Sequence, residues 1–328
     1  MRNMRAGLVG LGAMGKNHAR VLSNLDGVDL VAIADSQVDY TGTPANKQIL
    51  RSIDEVIAKR LDYCVIAAPT AFHEEISIKL IDAGIHVLIE KPISHNLESA
   101  LRISDAARAQ GVIGAVGHIE RFNPALQQAR LRIQHGDLGE LYQIATRRLG
   151  PFPSRIADVG VILDLASHDI DLTSWITSSE YVNISAQAAI RSGRSHEDLV
   201  AIVALLQTGV IANHLVNWLS PLKERKVVIN GEKGTFEIDT LTSDLKFFAN
   251  GTIKIEQDSI AYFKGVTQGD IRIFAFDKPE ALKVEHENFR DAVLGRHAEI
   301  VTLEDGCRAV QLAEAAIRSY KSQTLVAL

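Results

Sequence analysis

Cysteine is scarce. Cys64 and Cys307 are the only two in 328 residues, far apart and without CxxC or zinc-ligand spacing. This excludes a disulfide framework, favours a reducing compartment and makes both thiols inert core residues. Proline is also scarce, at 8 residues, and with 46% hydrophobic and 23% charged side chains the composition excludes a disordered, collagen-like or low-complexity chain. Positive charge is not in excess: 35 Lys and Arg against 40 Asp and Glu leave a net charge of −5. A chain of this kind lacks the basic field that nucleic acid or an anionic membrane would need, so neither is expected as a partner. No stretch approaches the roughly eighteen apolar residues of a membrane-spanning helix. Arg2 and Arg5 before the apolar run Ala6 to Gly15 imitate a signal peptide, but that run is glycine-rich and stops at Lys16 with no small-x-small cleavage site. The expected location is cytoplasmic.

At roughly 150 residues per domain, the length suggests two domains. Up to about residue 119, short β-branched runs alternate with helical patterns. Strands are expected at Met4 to Val9, Val28 to Ala34, Tyr63 to Ala67, Ile85 to Ile89 and Val112 to Val116, and helices at Ala13 to Leu25, Phe72 to Ala83 and Leu97 to Ala109. This rhythm predicts a doubly wound parallel sheet of the Rossmann type. From 120 to 328 the pattern is that of a substrate-binding and oligomerisation α+β domain on a large, mostly antiparallel open sheet. Its helices are expected at Pro124 to Ile133 and near Val161 to Thr177, and turn signals separate strand-like runs between Tyr142 and Ile238. An alanine-rich amphipathic helix over 303–320 carries no signal of where it packs.

Gly10-Leu-Gly12-Ala13-Met14-Gly15 follows a predicted strand and opens a predicted helix, the context that gives GxGxxG its meaning. Gly10 permits a tight turn, Gly12 lets backbone approach a pyrophosphate, and Gly15 lets helix and strand pack closely. The helix N-terminus supplies N–H donors. Asp35, twenty positions after Gly15, closes the second strand where a carboxylate accepts from ribose hydroxyls, favouring NAD over NADP. Ser36 to Leu50 is polar and contains Thr41-Gly-Thr-Pro44, so a loop is expected there in place of the usual second helix, which keeps NADP as the less favoured option.

Two further segments lie after strands, at the edge where the nicotinamide belongs: Ala68-Pro69-Thr70-Ala-Phe-His73 and Glu90-Lys91-Pro92. A third, Asp164-Leu-Ala-Ser-His168, has the i, i+4 spacing that brings both side chains to one helix face. Together these supply what oxidation of a secondary alcohol requires. His168 suits the base that takes the hydroxyl proton, and Lys91 suits the cation that stabilises developing alkoxide.

These motifs, in this order and nearly end to end, resemble the Gfo/Idh/MocA oxidoreductase family. The resemblance implies a Rossmann domain, a second domain on an open sheet that commonly makes homodimers or homotetramers, and a tightly bound nicotinamide. It also implies contact of Lys91 with substrate and cofactor, and Asp164 and His168 flanking the reacting carbon. His73 then falls in the loop beside the cofactor, with a structural role. Gly117-His118-Ile-Glu-Arg121-Phe-Asn123-Pro124 and Arg148-Leu-Gly-Pro-Phe-Pro-Ser-Arg155 look like the branch that oxidises the 3-hydroxyl of UDP-N-acetylglucosamine or its uronic acid. Cationic forks and amides suit a diphosphate and a uracil, which makes His118, Arg121, Asn123, Arg148 and Arg155 substrate-binding candidates beside Lys91, Asp164 and His168. The arginines could instead serve as ordinary ion pairs.

Eleven histidines include no HExxH and no Cys cluster, and a hydride acceptor makes a metal unnecessary, so none is expected. His18 is read as a packing or phosphate-side residue and His286 as helix surface. Three functions remain in view: an NAD-dependent dehydrogenase of a UDP-sugar, a dehydrogenase of a free polyol or sugar such as inositol or glucose, and a non-catalytic dinucleotide-binding regulator.

Overall fold

The computed structural model describes residues 2–36, 48–153, 159–251 and 267–328. Two compact units are formed, one from Met1–Phe122 with Pro279–Glu314, the other from Asn123–Lys278 with Ala315–Leu328.

The first unit carries β1 (Met4–Val9), α1 (Ala13–Leu22), β2 (Val28–Ala34), β3 (Ile49–Leu50), α2 (Ile53–Ile57), β4 (Tyr63–Ile66), α3 (His73–Asp82), β5 (His86–Glu90), α4 (Leu97–Gln110) and β6 (Gly114–Gly117). The strands form one sheet in the order β3-β2-β1-β4-β5-β6, and every pair is parallel. This is the doubly wound Rossmann order. Part of the expected loop after Asp35, including Thr41-Gly-Thr-Pro44, lies outside the described residues. Next in the chain come β3 and the short α2, neither of which is among the elements expected from the pattern. Ser52 caps α2 by accepting from Glu55 N.

The second unit carries α5 (Pro124–Gln134), β7 (Leu141–Pro151), α6 (Ser167–Thr177), β8 (Tyr181–Ala189), β9 (Leu199–Leu206), β10 (Ile211–Asn217), β11 (Leu219–Gly231), β12 (Gly234–Asp239), β13 (Asp244–Gly251) and β14 (Thr267–Ile273). The chain then returns to the first unit with α7 (Ala281–Val293). It continues into α8 (Leu303–Ser322), whose residues up to Glu314 belong to the first unit, and ends at β15 (Val326–Ala327) in the second. The nine-stranded sheet runs β14-β13-β12-β11-β7-β10-β9-β8-β15, antiparallel throughout except for β7 with β10.

The return of 279–314 differs from the expected division at residue 120, and the reason is coverage. A parallel sheet is apolar on both faces and must be buried on both. One face packs against Leu80 and Ile81 of α3, Ile103 of α4, and Cys307 and Val310 of α8. The other packs against Ala19 and Leu22 of α1 and Phe289 of α7, whose ring meets Tyr63 edge-on at 5.4 Å.

In the second unit, alternation along β9 and β10 buries Val200, Ile202, Ala212 and Val216 on one face and leaves Val203, Leu205, Ile211 and Leu215 exposed on the other. Under the buried face, α6 is pinned to the sheet by a polar bridge. Tyr181 donates to the Ile170 carbonyl at 3.3 Å, so His214 Nε2 donates to Tyr181 (3.1 Å) and Nδ1 accepts from Thr146 (2.8 Å), the pattern of a neutral imidazole. Among the described residues, no helix is long and apolar enough to cross a membrane.

Burial, aided by the Arg148 charge, pushes the His214 pKa down to about 3. The unfolded chain, with a histidine pKa of about 6.5, takes up this proton first as pH falls. Stability from neutral His214 is therefore complete above about pH 6.5 and is lost progressively towards pH 3. Urea midpoints at pH 7 and pH 5 should fall more for the wild type than for His214→Gln. Equal falls in the two proteins would refute the assignment.

Candidate active site

Four segments of the first unit meet at the carboxyl edge of the parallel sheet: the turn between β1 and α1, Asp35 after β2, 67–73 after β4, and 90–92 at the end of β5. Gly10 N donates to Ala34 O, and Ala67 N to Val9 O, each at 2.8 Å. Gly10 has φ +96°, and a Cβ there would lie 2.5 Å from the Ala67 carbonyl oxygen, so only glycine fits. A Cβ on Gly15 would collide with the Gly10 carbonyl, whereas one on Gly12 would meet no atom within 4 Å. Gly10 and Gly15 are thus required by packing, while the bare backbone at Gly12 faces open space at the start of α1. Gly12 is the N-cap of α1 and brings no capping side chain, which leaves the first-turn amides of Ala13, Met14 and Gly15 oriented outward. This cradle fits a dinucleotide pyrophosphate. Asp35 Oδ2 accepts from Leu11 N at 2.6 Å, which fixes the carboxylate against the same loop.

His73 is buried and ties two of these segments together. Nε2 lies 2.9 Å from Ala68 O, and Nδ1 lies 3.0 Å from Pro92 O and 3.3 Å from Ile93 O. Burial lowers its pKa, against the pull of those carbonyls. Glu90 is buried beneath Lys91. Its Oε1 lies 2.8 Å from His18 Nε2, and its Oε2 accepts from Lys91 N at 3.1 Å. Burial raises the Glu90 pKa, but the His18 hydrogen bond, the Lys91 charge and the Lys91 N–H outweigh it, holding the group below its ordinary value. The Lys91–Pro92 peptide is cis.

In the second unit, Asp164 lies on a π-helical turn, Ile162–Ala166, that runs directly into α6, where His168 sits in the first turn. The i, i+4 geometry expected of a regular α-helix is therefore not the local one, because a π turn holds an extra residue and turns Asp164 relative to the α-helical register. Both side chains are buried. Glu197, which belongs to no recognisable motif, holds the start of this turn: its carbonyl accepts from Val161 N (2.9 Å) and its carboxylate from Ile162 N (3.2 Å).

The expected substrate-binding residues separate. Arg148 is buried with Nε 3.1 Å from both oxygens of Asp169, and Arg121 lies 3.2 Å from Asp305, so both arginines form ion pairs. Burial raises the Asp305 pKa, but the Arg121 charge and the Thr302 N–H outweigh it and lower it. Asn123 caps α5 and donates to Thr240 O at 3.0 Å. His118 is buried at the end of β6, and Arg155 lies outside the described residues. One expectation is corrected outright: His286 is on a helix but fully buried, with Nε2 2.8 Å from His18 Nδ1. Among the described residues, no group of three His, Cys, Asp or Glu is placed to hold a metal ion.

The family models match along most of the chain. The Oxidoreductase family, NAD-binding Rossmann fold model covers residues 4–118, and the GFO/IDH/MocA C-terminal domain model covers 126–237. The chain belongs to the Gfo/Idh/MocA family. It is an NAD-dependent oxidoreductase of the dehydrogenase type, acting on a CH–OH group. It is 27% identical over 296 residues to UDP-N-acetylglucosamine 3-dehydrogenase of Acidithiobacillus ferrooxidans, covering 89% of this chain and 90% of that one. It is 24% identical over 335 residues to scyllo-inositol 2-dehydrogenase (NAD(+)) of Bacillus subtilis, covering 97% and 94%. Among solved structures, the WlbA dehydrogenase of Bordetella pertussis in complex with NADH and UDP-GlcNAcA superposes with a TM-score of 0.80 at 23% identity, covering 100% of this chain and 99% of that one.

The two glycines should respond differently to an added side chain. Gly12→Val should lower Tm only slightly, as a poorer N-cap, and weaken NAD at least tenfold by calorimetry, because the branched side chain fills the cradle. Gly15→Ala should instead cost about 1–3 kcal/mol of stability. A Gly12→Val protein that binds NAD normally would show that the cradle is not the pyrophosphate site.

Proposed function

We propose that the chain oxidises a secondary hydroxyl of a sugar nucleotide, the 3-hydroxyl of UDP-N-acetylglucosamine or its uronic acid, to a 3-keto sugar. The observation that carries this reading is the match to a UDP-N-acetylglucosamine 3-dehydrogenase across about nine-tenths of both chains. Bound NAD supplies the hydride acceptor for the carbinol hydrogen. Lys91 polarises the reacting hydroxyl, His168 takes its proton, and Asp164 orients the substrate. Asp35 receives the adenosine ribose, and the glycine loop the pyrophosphate. The presence of Lys91, Asp164 and His168 together argues against a silent regulator, which would have no chemical use for all three.

A free polyol or sugar is the second reading, and two observations favour it. Scyllo-inositol 2-dehydrogenase matches over 97% of this chain. Arg121 and Arg148, which a diphosphate would draw on, form ion pairs with Asp305 and Asp169. We also place the enzyme in the cytoplasm, in keeping with its two free, buried cysteines.

Absorbance of reduced nicotinamide should rise when protein and NAD meet UDP-N-acetylglucosamine or its uronic acid, with a glutamate-dependent aminotransferase removing the keto product. Lys91→Met and His168→Gln should each lower that rate by about 10²–10⁴-fold while still binding NAD. Turnover of inositols or glucose without turnover of the UDP-sugars would establish the second reading.

The homo-oligomer expected from the family is assigned to the open sheet. Val203, Leu205, Ile211 and Leu215 form an exposed apolar stripe across β9 and β10, with Leu205 directly opposite Ile211. Such a stripe suits a second copy of the same face. Val203→Lys with Ile211→Glu should shift the protein to monomer in light scattering, and an unchanged mass would place the interface elsewhere.

A further inference from the structure

Behind Lys91 lies a line of buried polar groups that the proposed reaction does not use. His286 of α7, His18 of α1 and Glu90 of β5 follow one another, with Nε2 of His286 2.8 Å from Nδ1 of His18, and Nε2 of His18 2.8 Å from Glu90 Oε1. Both histidines are fully buried. The opposite oxygen of Glu90 accepts from the Lys91 backbone N–H. Glu285 lies beside His286 in sequence, is also buried, and has neither carboxyl oxygen hydrogen-bonded.

The direction of this line follows from donors and acceptors. The Lys91 N–H can only donate, so Glu90 Oε2 must accept. With Glu90 ionised, Oε1 also accepts, and His18 Nε2 must carry a proton. His286 Nδ1 meets no partner, so its single proton sits on Nε2 and is donated to a bare His18 Nδ1. Burial and the neighbouring Glu90 charge raise the Glu285 pKa well above the carboxylate range, so this residue stays protonated and adds no second negative charge. Burial lowers that of His286 well below the ordinary histidine range, which keeps it neutral. Against α7 pack α1, with Lys16 and Arg20, the turn Ile119–Phe122, with Glu120 and Arg121, and β4, with Tyr63; the end of β5 adds Lys91.

We propose that His18 and His286 are positioning residues for Lys91: their one-way hydrogen-bond chain holds Glu90 as a carboxylate that fixes the Lys91 backbone. This rests on the reading of Lys91 as a residue that contacts substrate. A carboxamide at position 90 would set its NH2 against either the Lys91 N–H or the His18 Nε2–H, and only a change of tautomer in both imidazoles would relieve the second clash.

The test has two arms on the NAD-bound protein. Long-range ¹H–¹⁵N spectra of histidine-labelled protein near pH 7, assigned with His18→Gln and His286→Gln, should show both residues protonated on Nε2 and bare on Nδ1. A bare His18 Nε2 would overturn the proposal without any substrate being known. The second arm uses whichever alcohol the wild type oxidises. His18→Leu should lose at least about tenfold in kcat, with KM and NAD affinity within about twofold, and His18→Gln, which keeps a donor at the Nε2 position, should restore most of it. A packing role alone would move Tm and make leucine and glutamine equivalent in kcat, and that outcome would also overturn it. Failure of the UDP-sugars in the substrate panel leaves both arms standing.

Discussion

The sheet edge that holds the cofactor depends on one close approach of backbone to backbone. Gly10 turns out of β1 so near to Ala67 at the end of β4 that a single carbon between them would part the strands. Gly15 then brings the first turn of α1 against the Gly10 carbonyl. The remaining cofactor segments lie along the edge that this contact closes: Asp35 accepts from Leu11 of the same turn, and 67–73 begins where Ala67 pairs with Val9. The loop is compressed for packing at Gly10 and Gly15, and the one glycine not compressed, Gly12, is where a phosphate has room to come close.

Polar groups are buried where they hold the elements that bear the proposed site residues. In the first unit His73 joins the loop after β4 to the turn after β5, and His18 with Glu90 ties α1 to β5. In the second, His214 and Tyr181 tie α6 to the sheet, and Arg148 neutralises Asp169 next to His168. Each costs desolvation that an apolar core would avoid. What such contacts provide is a fixed direction for the element, which close apolar packing defines less sharply.

The legible parts of the sequence were those whose signal is local. GxGxxG with Asp35, the alternation along β9 and β10, and Asn123-Pro124 at the start of α5 each state their structure within a few residues. The short α2 has its own local signal in Ser52-Ile-Asp-Glu55, a capping pattern that the polar segment before it obscures. The helix α7 is hidden for a different reason: two of its buried positions are Glu285 and His286, so the apolar period is broken where the helix is most buried. Ion pairs such as Arg121 with Asp305, 184 residues apart, have no local signature at all. The arginines therefore looked available for a diphosphate when the fold had given them carboxylates.

The first unit is also discontinuous in a way that matters during synthesis. His18 and Glu90 emerge early, but His286 is translated 196 residues after Glu90, the difference between positions 286 and 90. At about 5–20 residues per second, that is roughly 10–40 s in which the Rossmann sheet has one face without α7. Through this interval His18 lacks His286 and Tyr63 lacks Phe289. The nucleotide-binding half of the enzyme is thus finished only after β7 to β14 of the second unit have been made, and a nascent chain stalled before α7 would present an incomplete apolar face to chaperones.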